Sequence, residues 1–466
     1  MKCRRLLVTL RRKLCYGRMF RLRGLWTPLL GVAALFLCLE SCCDTTPQPG
    51  AVTITLLDPG WLDKEFVSWR RHEEEEFTRE TGILVKDLPA PETAIDQLAL
   101  WRKLLQNPSD APDVFAIDVI WPSLTAEHSL SLNSYLADTV DDFPMLTAND
   151  TLNGQLVAMP YHADAGLLFY RTDLLLEYGY RAPPSTWDEL EKMAARIQKG
   201  ERSKGKKDFW GFVWQGAASE ALTCNALEWQ ASEGGGRIIE ADKIITVNNP
   251  GTVRAWERAA RWIGTISPPS VTAYREWDAL NIWRSGNAAF MRNWPTSFVT
   301  SENSEIKGKF GATLLPAGRL GHAATLGGAS LSIYRNTQHP KEAEALVRYL
   351  CRRDVELARA KATSQPPVMP ELYDVPEVVQ ARPHFAALKQ IFTQGVVERP
   401  SSITGSKYDQ VSAAYFNAVH SVLTKRKSAS EAAADLEREL VQITGFQAHS
   451  TVSALVTDRK RSPSGN

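Results

Sequence analysis

The sequence predicts an α/β protein in which two successive units of strands and helices are followed by further helices. Strand-like and helix-like segments alternate over 51–118, and the alternation resumes over 155–264 after a break. The last third of the chain is mostly helical in its hydrophobic pattern. Strands that alternate with helices favour a parallel sheet covered by helices on its faces.

The first unit begins with "AVTITLL" (51–57), which alternates and is rich in β-branched residues, as strands are. The next segment, 63–82, has apolar residues at helical spacing and ends at Gly82, so it predicts an amphipathic helix. The same criteria predict a strand at 83–88, a helix at 93–107 and a strand at 112–118.

The second unit repeats this alternation. The segment 155–180 contains two strand-like pieces and a helix, and the next helix, 185–200, has Ser185 or Thr186 as its N-cap. The other predicted elements are a strand at 208–214, helices at 219–232 and 250–264, strands within 288–294, 312–316 and 328–334, and three helices in the C-terminal third. The tail, 448–466, is polar and is expected to be flexible.

The N-terminal segment 1–41 is predicted to be a secretory signal peptide, with a true start that is either Met1 or Met19. Nine basic residues precede an apolar run at 25–39. That run is about 15 residues, whereas a helix needs roughly 20 to cross a bilayer. The polar stretch 42–50 then predicts a flexible tether.

"LESC" (39–42) resembles the bacterial lipoprotein box, in which cleavage exposes a cysteine that becomes lipidated. The resemblance predicts Cys42 as the lipid-modified residue, with Cys43 as the rival. Cleavage without lipidation and retention as an uncleaved anchor stay open as alternatives. No cysteine and histidine cluster at zinc spacing follows, so a metal site is not predicted.

Charge and cysteine usage limit the function of the mature chain. Without residues 1–41, 45 basic and 52 acidic residues remain, a net charge of about −7. This charge gives no electrostatic reason to bind nucleic acid. The mature part keeps Cys224 and Cys351 as candidates for a single disulfide, and the sequence leaves their pairing open.

Sequence motifs of common enzymes are absent, whereas aromatic residues recur near predicted strand ends. The chain has no G-x-S-x-G, Walker, G-x-G-x-x-G or H-E-x-x-H motif. Ligands of open α/β sheets bind beyond the carboxyl ends of the strands, where Asp118 is expected. Aromatic rings cover the C–H faces of sugars while carboxylates and arginines bind the hydroxyl groups. The aromatic candidates near these ends are Trp61, Trp121, Tyr161 and Trp294, and Trp229 follows Glu228.

The ordered motifs resemble the family 1 extracellular solute-binding proteins of ABC sugar importers, closest to the trehalose- and maltose-binding branch. They include "DVFAIDVIWPS", "LVAMPYHADAGLLFYRTDLL", "NALEWQASEGGGRII", "MRNWPTS", "LGGASLSIY" and "ERPSSITGSKYDQ". The resemblance implies a two-lobed periplasmic-binding-protein fold of type II, a Venus flytrap with a sheet flanked by helices in each lobe. It implies lobe one at 51–163 and 291–351, and lobe two at 164–290 and 352–447.

The resemblance also implies a set of ligand-binding residues. Trp294 matches an aromatic residue that stacks on a sugar ring, and Gly327 and Gly328 match a turn where the backbone approaches the sugar. The implied set is Asp118, Tyr161, Asp164, Glu228, Trp294, Gly327, Gly328 and Arg399, with Trp61, Trp121 and Trp277 as weaker candidates. The family often has an aromatic residue after Gly-Gly, and this chain has Ala329, which leaves the identity of the sugar open.

The predicted function is therefore that of a lipid-anchored, exported receptor that captures a sugar such as trehalose or maltose and delivers it to a membrane permease. We expect a monomer, on the outer face of the cytoplasmic membrane or in the periplasm, that needs no cofactor or metal and binds no nucleic acid. The alternatives are a receptor for a polyamine or peptide, a sensor for a membrane kinase and, as a different class, a secreted glycoside hydrolase with two carboxylates across the scissile bond.

Overall fold

The computed structural model describes residues 51–57, 64–91, 94–107 and 111–449. The predictions for the signal peptide (1–41), the tether (42–50), Cys42, Cys43 and Trp61 lie outside the described residues, as do those for 450–466. None of the described helices is long and apolar enough to span a membrane.

Fourteen β-strands lie within the described residues. In chain order they are β1 Thr53–Leu57, β2 Leu84–Leu88, β3 Val114–Asp118, β4 Thr151–Leu152, β5 Gln155–Leu156, β6 Met159–Ala165, β7 Leu167–Arg171, β8 Trp210–Val213, β9 Ile244–Ile245, β10 Ala288–Asn293, β11 Phe310–Thr313, β12 Ala324–Ile333, β13 Val396–Val397 and β14 Gln447–Ala448.

Seventeen α-helices lie within the same ranges. They are α1 Lys64–Thr81, α2 Ala94–Gln106, α3 Pro122–Thr125, α4 Pro144–Asn149, α5 Thr172–Glu177, α6 Trp187–Ser203, α7 Glu220–Ser232, α8 Pro250–Trp262, α9 Glu276–Arg284, α10 Ser297–Glu302, α11 Pro340–Leu350, α12 Arg353–Ala362, α13 Pro376–Ala381, α14 Phe385–Gln394, α15 Ser401–Thr404, α16 Tyr408–Leu423 and α17 Ala429–Thr444.

The first sheet has the order β13-β12-β3-β1-β2, and β6 also pairs with β12. Strands β1, β2 and β3 are parallel, as the alternation of strands and helices predicts. Strand β12 runs antiparallel to both β3 and β6, so the sheet is mixed. Its core includes Phe66 and Phe77 of α1, Val114 of β3, and Leu331 and Ile333 of β12.

The second sheet has the order β11-β7-β10-β8, in which β10 is parallel to β8 and antiparallel to β7. Strand β11 pairs with β7, so 310–313 lies in the second sheet, whereas the predicted division put this segment in lobe one. Strand β13 pairs with β12 of the first sheet, although the predicted division put it in lobe two. The predicted lobe bounds therefore differ from the sheets at these two strands, and they also divide β6 after 163 and β10 after 290.

Most of the predicted elements form within a few residues of the predicted bounds. Helix α6 begins after Thr186, whose hydroxyl accepts a hydrogen bond from the backbone N–H of Glu189 at 3.2 Å. The predicted strand at 312–316 lies slightly earlier, at Phe310–Thr313, and the strand predicted at 328–334 begins earlier, at Ala324. The α/β class is confirmed.

Cys224 and Cys351 are both free thiols. Cys224 lies inside α7, and Cys351 follows α11, where its Sγ lies 3.6 Å from the carbonyl oxygen of Pro160. Burial raises the pKa of both thiols, that of Cys224 to about 12. The disulfide that the sequence left open is therefore not present in this structure.

Candidate functional site

Strand β12 brings two acidic residues together because it pairs with β3 on one side and β6 on the other. Asp118, the last residue of β3, is opposite Ala329, and Asp164 of β6 is opposite Gly327. Burial raises the pKa of Asp164, and the nearby charge of Asp118 raises it further. Asp118 was predicted at the end of this strand, and the structure places it there.

The Gly327–Gly328 pair allows two close approaches to β12. A Cβ on Gly327 would lie 3.0 Å from Cζ3 of Trp294 and 3.3 Å from Cβ of Asp164. Gly328 has φ of +123°, and a Cβ there would lie 2.3 Å from the carbonyl oxygen of His162. Only glycine fits these positions without displacing the backbone or the indole ring.

Trp294, which directly follows β10 of the second sheet, is held from several directions. The guanidinium carbon of Arg292 lies 4.2 Å from the centroid of the ring, in a cation–π contact. The indole N–H lies close enough to the side chain of Glu276, the first residue of α9, to oppose the effect of burial on the pKa of that carboxyl group. The ring stays partly exposed, so it offers apolar surface beside carboxylates.

Arg399 connects the first sheet to the start of α7. Its Nη2 lies 3.4 Å from Oδ1 of Asp118 and donates to the carbonyl oxygen of Leu326 at 3.0 Å. Its Nη1 donates to Oε1 of Glu220 at 2.9 Å. Among the groups of the described residues, no acceptor lies within hydrogen-bonding distance of its buried Nε. Its Nε–H is therefore a buried donor without an acceptor among the described residues.

We refer to Asp118, Asp164, Glu276, Trp294 and Arg399 as the central site. Burial raises the pKa of all three carboxyl groups, most strongly that of Asp164. The charge of Arg399 opposes this shift at Asp118, and the charge of Arg292 opposes it at Asp164 and Glu276. Burial disfavours the charged form of each acid, and hydrogen-bond donors from a ligand would offset that cost.

Glu228 differs from its predicted role as a direct ligand residue. It is fully buried, and its two oxygens accept hydrogen bonds from Nε and Nη2 of Arg292 at 3.0 and 2.5 Å. The backbone N–H of Thr325 donates to Oε1 at 3.2 Å. Gly166 leaves room for this ion pair, since a Cβ there would lie 2.3 Å from Oε1. Glu228 therefore supports Arg292, and through it Trp294.

Two predicted aromatic residues are part of the core. Tyr161 packs with Phe66 in the core of the first sheet, and the guanidinium carbon of Arg359 lies 4.2 Å from the centroid of its ring. Trp121 packs in a separate core cluster beside β3. These placements differ from the predicted contact with ligand, because both rings are covered by protein. Trp277 is instead 40% exposed and follows Glu276 directly.

Sequence reasoning brought together six of the residues that meet here and missed three others. The six are Asp118, Asp164, Trp294, Gly327, Gly328 and Arg399. The missed residues are Glu220, Glu276 and Arg292. The available signal was weak: Arg292 stands two residues before Trp294, and Glu276 stands next to a tryptophan. No cluster of acids, histidines or cysteines suited to a metal occurs in the described ranges.

Residues 75–387 match the family model of the bacterial extracellular solute-binding proteins. The chain belongs to this family. A probable ABC transporter-binding protein of Deinococcus radiodurans is 45% identical to this solute-binding protein over 374 residues, which cover 79% of this chain and 89% of the relative.

Solved structures agree with this assignment. Maltose-bound MalE3 of T. maritima superposes with a TM-score of 0.77 and 33% identity over 84% of this chain and 99% of its own. The GacH receptor of Streptomyces glaucescens superposes with a TM-score of 0.74 and 23% identity over 85% and 99%, which shows the fold. The family and fold of this solute-binding protein are those of substrate-binding proteins and not of enzymes.

Proposed function

We propose that this protein is the substrate receptor of an ABC-type importer and that it binds a sugar, with a disaccharide such as maltose or trehalose as the first candidate. The observation on which this depends is the partly exposed Trp294, which has the acidic residues Asp164 and Glu276 as neighbours. The relative from D. radiodurans and the maltose-bound MalE3 support the same role.

The chemistry of the central site suits a pyranose. The indole ring offers an apolar surface for the C–H face of the sugar. The carboxylates accept hydrogen bonds from hydroxyl groups, and the guanidinium group of Arg399, beside Asp118, can donate them. Hydrogen bonds to charged groups contribute roughly 1.5–3 kcal/mol each. The site needs no reacting nucleophile for this role.

Binding is proposed to close the two lobes on the sugar. Strands β3 and β6 of the first sheet supply Asp118 and Asp164, and β10 of the second sheet leads into Trp294. A sugar that contacts all three binds the closed form better than the open one, and this difference in affinity shifts the population. Small-angle scattering with and without sugar measures this closure directly.

The N-terminal segment is proposed to export the protein and to anchor it through a lipid on Cys42, beside the permease. The lipoprotein-like motif at 39–42 supports this proposal. Metabolic labelling with a fatty-acid analogue tests it in three chains: wild type, Cys42→Ala and Cys43→Ala. Loss of label in Cys42→Ala alone supports the proposal, and loss in Cys43→Ala alone moves the anchor by one residue.

A calorimetric screen of mono- and disaccharides tests the sugar assignment, with spermidine and short peptides as the other arms. We expect heat of binding and a raised melting temperature with at least one disaccharide. Binding of spermidine with no response to any sugar would overturn the assignment. In that case the carboxylates of the central site would bind ammonium groups.

Trp294→Leu identifies the site of binding and has a close control in Trp210→Leu. Both tryptophans are partly exposed, both adjoin strands of the second sheet, and each has an arginine guanidinium carbon 4.2 Å from its ring centroid. We expect Trp294→Leu to weaken sugar binding about 10- to 100-fold through lost apolar contact. Trp210→Leu is expected to leave affinity unchanged, and equal effects would move the sugar away from Trp294.

A further inference from the structure

Glu276 has an acceptor capacity that the protein itself does not fully use. It is the first residue of α9, and its backbone carbonyl accepts a hydrogen bond from Nδ2 of Asn293 at 3.2 Å. Its carboxylate accepts the indole N–H of Trp294. Two contacts with consecutive residues thus fix Glu276 against the end of β10. An ionised carboxylate has about four lone-pair sites, so the indole N–H and the residue's own backbone N–H leave about two of them available.

Glu276 is not needed to neutralise the charge of Arg292. Arg292 already donates two hydrogen bonds to Glu228, at 3.0 and 2.5 Å, in a fully buried bidentate pair. Gln215 engages the same arginine from another side, since its Nε2 donates to the carbonyl oxygen of Arg292 at 2.9 Å. Glu276 as a whole is half-buried, like Trp294, so neither residue is sealed in the core.

Carboxylates lie at two ends of the same indole ring. Asp164 is on the side of the six-membered ring, since its Cβ and Cζ3 of Trp294 both border Gly327, at 3.3 and 3.0 Å from the point where a Cβ would sit. Glu276 lies at the N–H of the five-membered ring. A sugar ring that stacks on an indole places its hydroxyl groups around the rim, where both carboxylates can accept them.

We propose that Glu276 is a ligand-binding residue that accepts hydroxyl groups of the sugar at the indole N–H end of Trp294. The exposed ring of Trp277 follows it and extends the apolar surface of this end of the site. This inference rests on the proposed function, because it assigns the contacts of the same sugar. It also assigns a direct contact to Glu276 and only a supporting role to Glu228.

Glu276→Gln tests the proposal, with Glu257→Gln as the control. The amide keeps the size of the side chain and can still accept the indole N–H. Glu257 is exposed on α8, so its substitution removes the same charge from a solvated position. Hydrogen bonds to charged acceptors predict a loss of affinity of about 10- to 150-fold for Glu276→Gln. Glu257→Gln is expected to bind with wild-type affinity.

Monodeoxy derivatives of the bound sugar separate a direct contact from a structural effect. If Glu276 accepts a particular hydroxyl, the sugar lacking that hydroxyl should bind wild type and Glu276→Gln with nearly equal affinity. A purely structural role would weaken every derivative by the same factor. Glu276→Asp, which keeps the charge and shortens the side chain, serves the same comparison if the amide variant does not fold.

The outcomes distinguish the inference from the function on which it depends. Absence of sugar binding by the wild-type protein would overturn the proposed function. Sugar binding by wild type with affinity within twofold in Glu276→Gln would overturn only the role of Glu276. A loss of affinity that disappears for one deoxy sugar supports both.

Discussion

Two arginines form ion pairs with carboxylates on the same helix, and the two ion pairs differ in their exposure to solvent. Glu220 and Glu228 are eight residues apart on α7 and so lie on broadly the same face. Arg399 binds Glu220, and Arg292 binds Glu228. The Arg292–Glu228 pair is sealed, with both side chains 0% exposed. The Arg399 cluster is more open, because the side chains of Asp118 and Glu220 are 16% and 17% exposed.

This difference in exposure suggests a structural role for one arginine and a ligand-binding role for the other. A sealed bidentate pair cannot exchange its hydrogen bonds for those of a solute without unfolding part of the protein. The Arg399 cluster is open enough to do so, and its Nε–H lacks an acceptor among the described residues. We therefore propose that the first arginine supports Trp294 and that the second contacts the ligand.

Removing the sealed arginine is expected to have the largest effect. Arg292→Ala leaves Glu228 buried without its partner, and such a loss costs about 3–5 kcal/mol of unfolding free energy. Urea denaturation followed by circular dichroism measures it. Arg292→Met combined with Glu228→Gln removes both charges and should recover part of that loss. A single variant Arg292→Ala with wild-type stability would contradict the distinction between the two clusters.

Arg399→Ala is expected to lower stability less and to affect binding directly. Glu220 keeps the hydroxyl groups of Tyr408 and Ser412 as donors, and Asp118 keeps some access to water. We expect a loss of about 1–3 kcal/mol in stability and at least a tenfold loss of sugar affinity. Titration calorimetry at a temperature where the variant is folded gives the affinity. Unchanged affinity would assign Arg399 a structural role like that of Arg292.

Acidification is expected to weaken sugar binding, and Asp118→Asn should reduce this dependence. Burial raises the pKa of Asp118 and Asp164, so both carboxyls begin to protonate above the usual range of aspartate. Protonation replaces a charged acceptor with a neutral one, and affinity therefore falls as the pH falls through these pKa values. Calorimetry from pH 7.5 to 5 follows the change. The same slope in wild type and Asp118→Asn would exclude Asp118 from the contact.

Stability of the sugar-free protein is expected to change in the opposite direction. Burial and the charge of Glu356 raise the pKa of Asp142 to about 8, and burial raises that of Asp150 to about 7. The folded state then holds protons that the unfolded state has released, so stability falls as the pH rises through 7 and 8. Buried His162 and His384, with pKa lowered to about 3, are neutral in both states above about pH 6.5.

Asp142→Asn tests this pH dependence. Each group contributes at most about 1.4 kcal/mol per pH unit, because a shift of one pKa unit corresponds to that energy. We expect the variant to lose less stability than wild type between pH 6.5 and 8.5, as measured by urea denaturation. An equal loss in the two proteins would show that Asp142 is already ionised in the folded state over this range. Replacing Arg292 and Glu228 should leave this pH dependence of the free energy of unfolding unchanged.

The sequence predicted the backbone of the central site better than its contacts. Alternating runs placed Asp118 at a strand end, and Gly-Gly predicted a close approach at 327–328. The role of Glu228 was not predictable, because its partner Arg292 lies 64 residues away and belongs to another element. Glu276 was also not predicted, because acidic residues are common in the first turn of a helix, where they interact favourably with the helix dipole.

Tyr161 and Trp121 show the same limit for aromatic residues. Both lie within three residues of a central-site aspartate along the chain. Both rings are nevertheless buried in the core. A strand alternates its side chains between two faces, so a shift of one residue exchanges core for cleft. Asp164 and Tyr161 lie on the same strand and differ in this way, a distinction that depends on the register with β12.

Substitution of Cys224 is expected to have the smallest effect, and it tests whether the Arg292 and Arg399 clusters are independent. It lies between Glu220 and Glu228 on α7, and its carbonyl accepts a hydrogen bond from the Thr325 hydroxyl at 3.0 Å, which any residue can provide. Cys224→Ala removes only the sulfur, so we expect about 1 kcal/mol or less in stability and less than a twofold change in sugar affinity. A larger loss of affinity would mean that the two arginine clusters act together through α7 and are not separate.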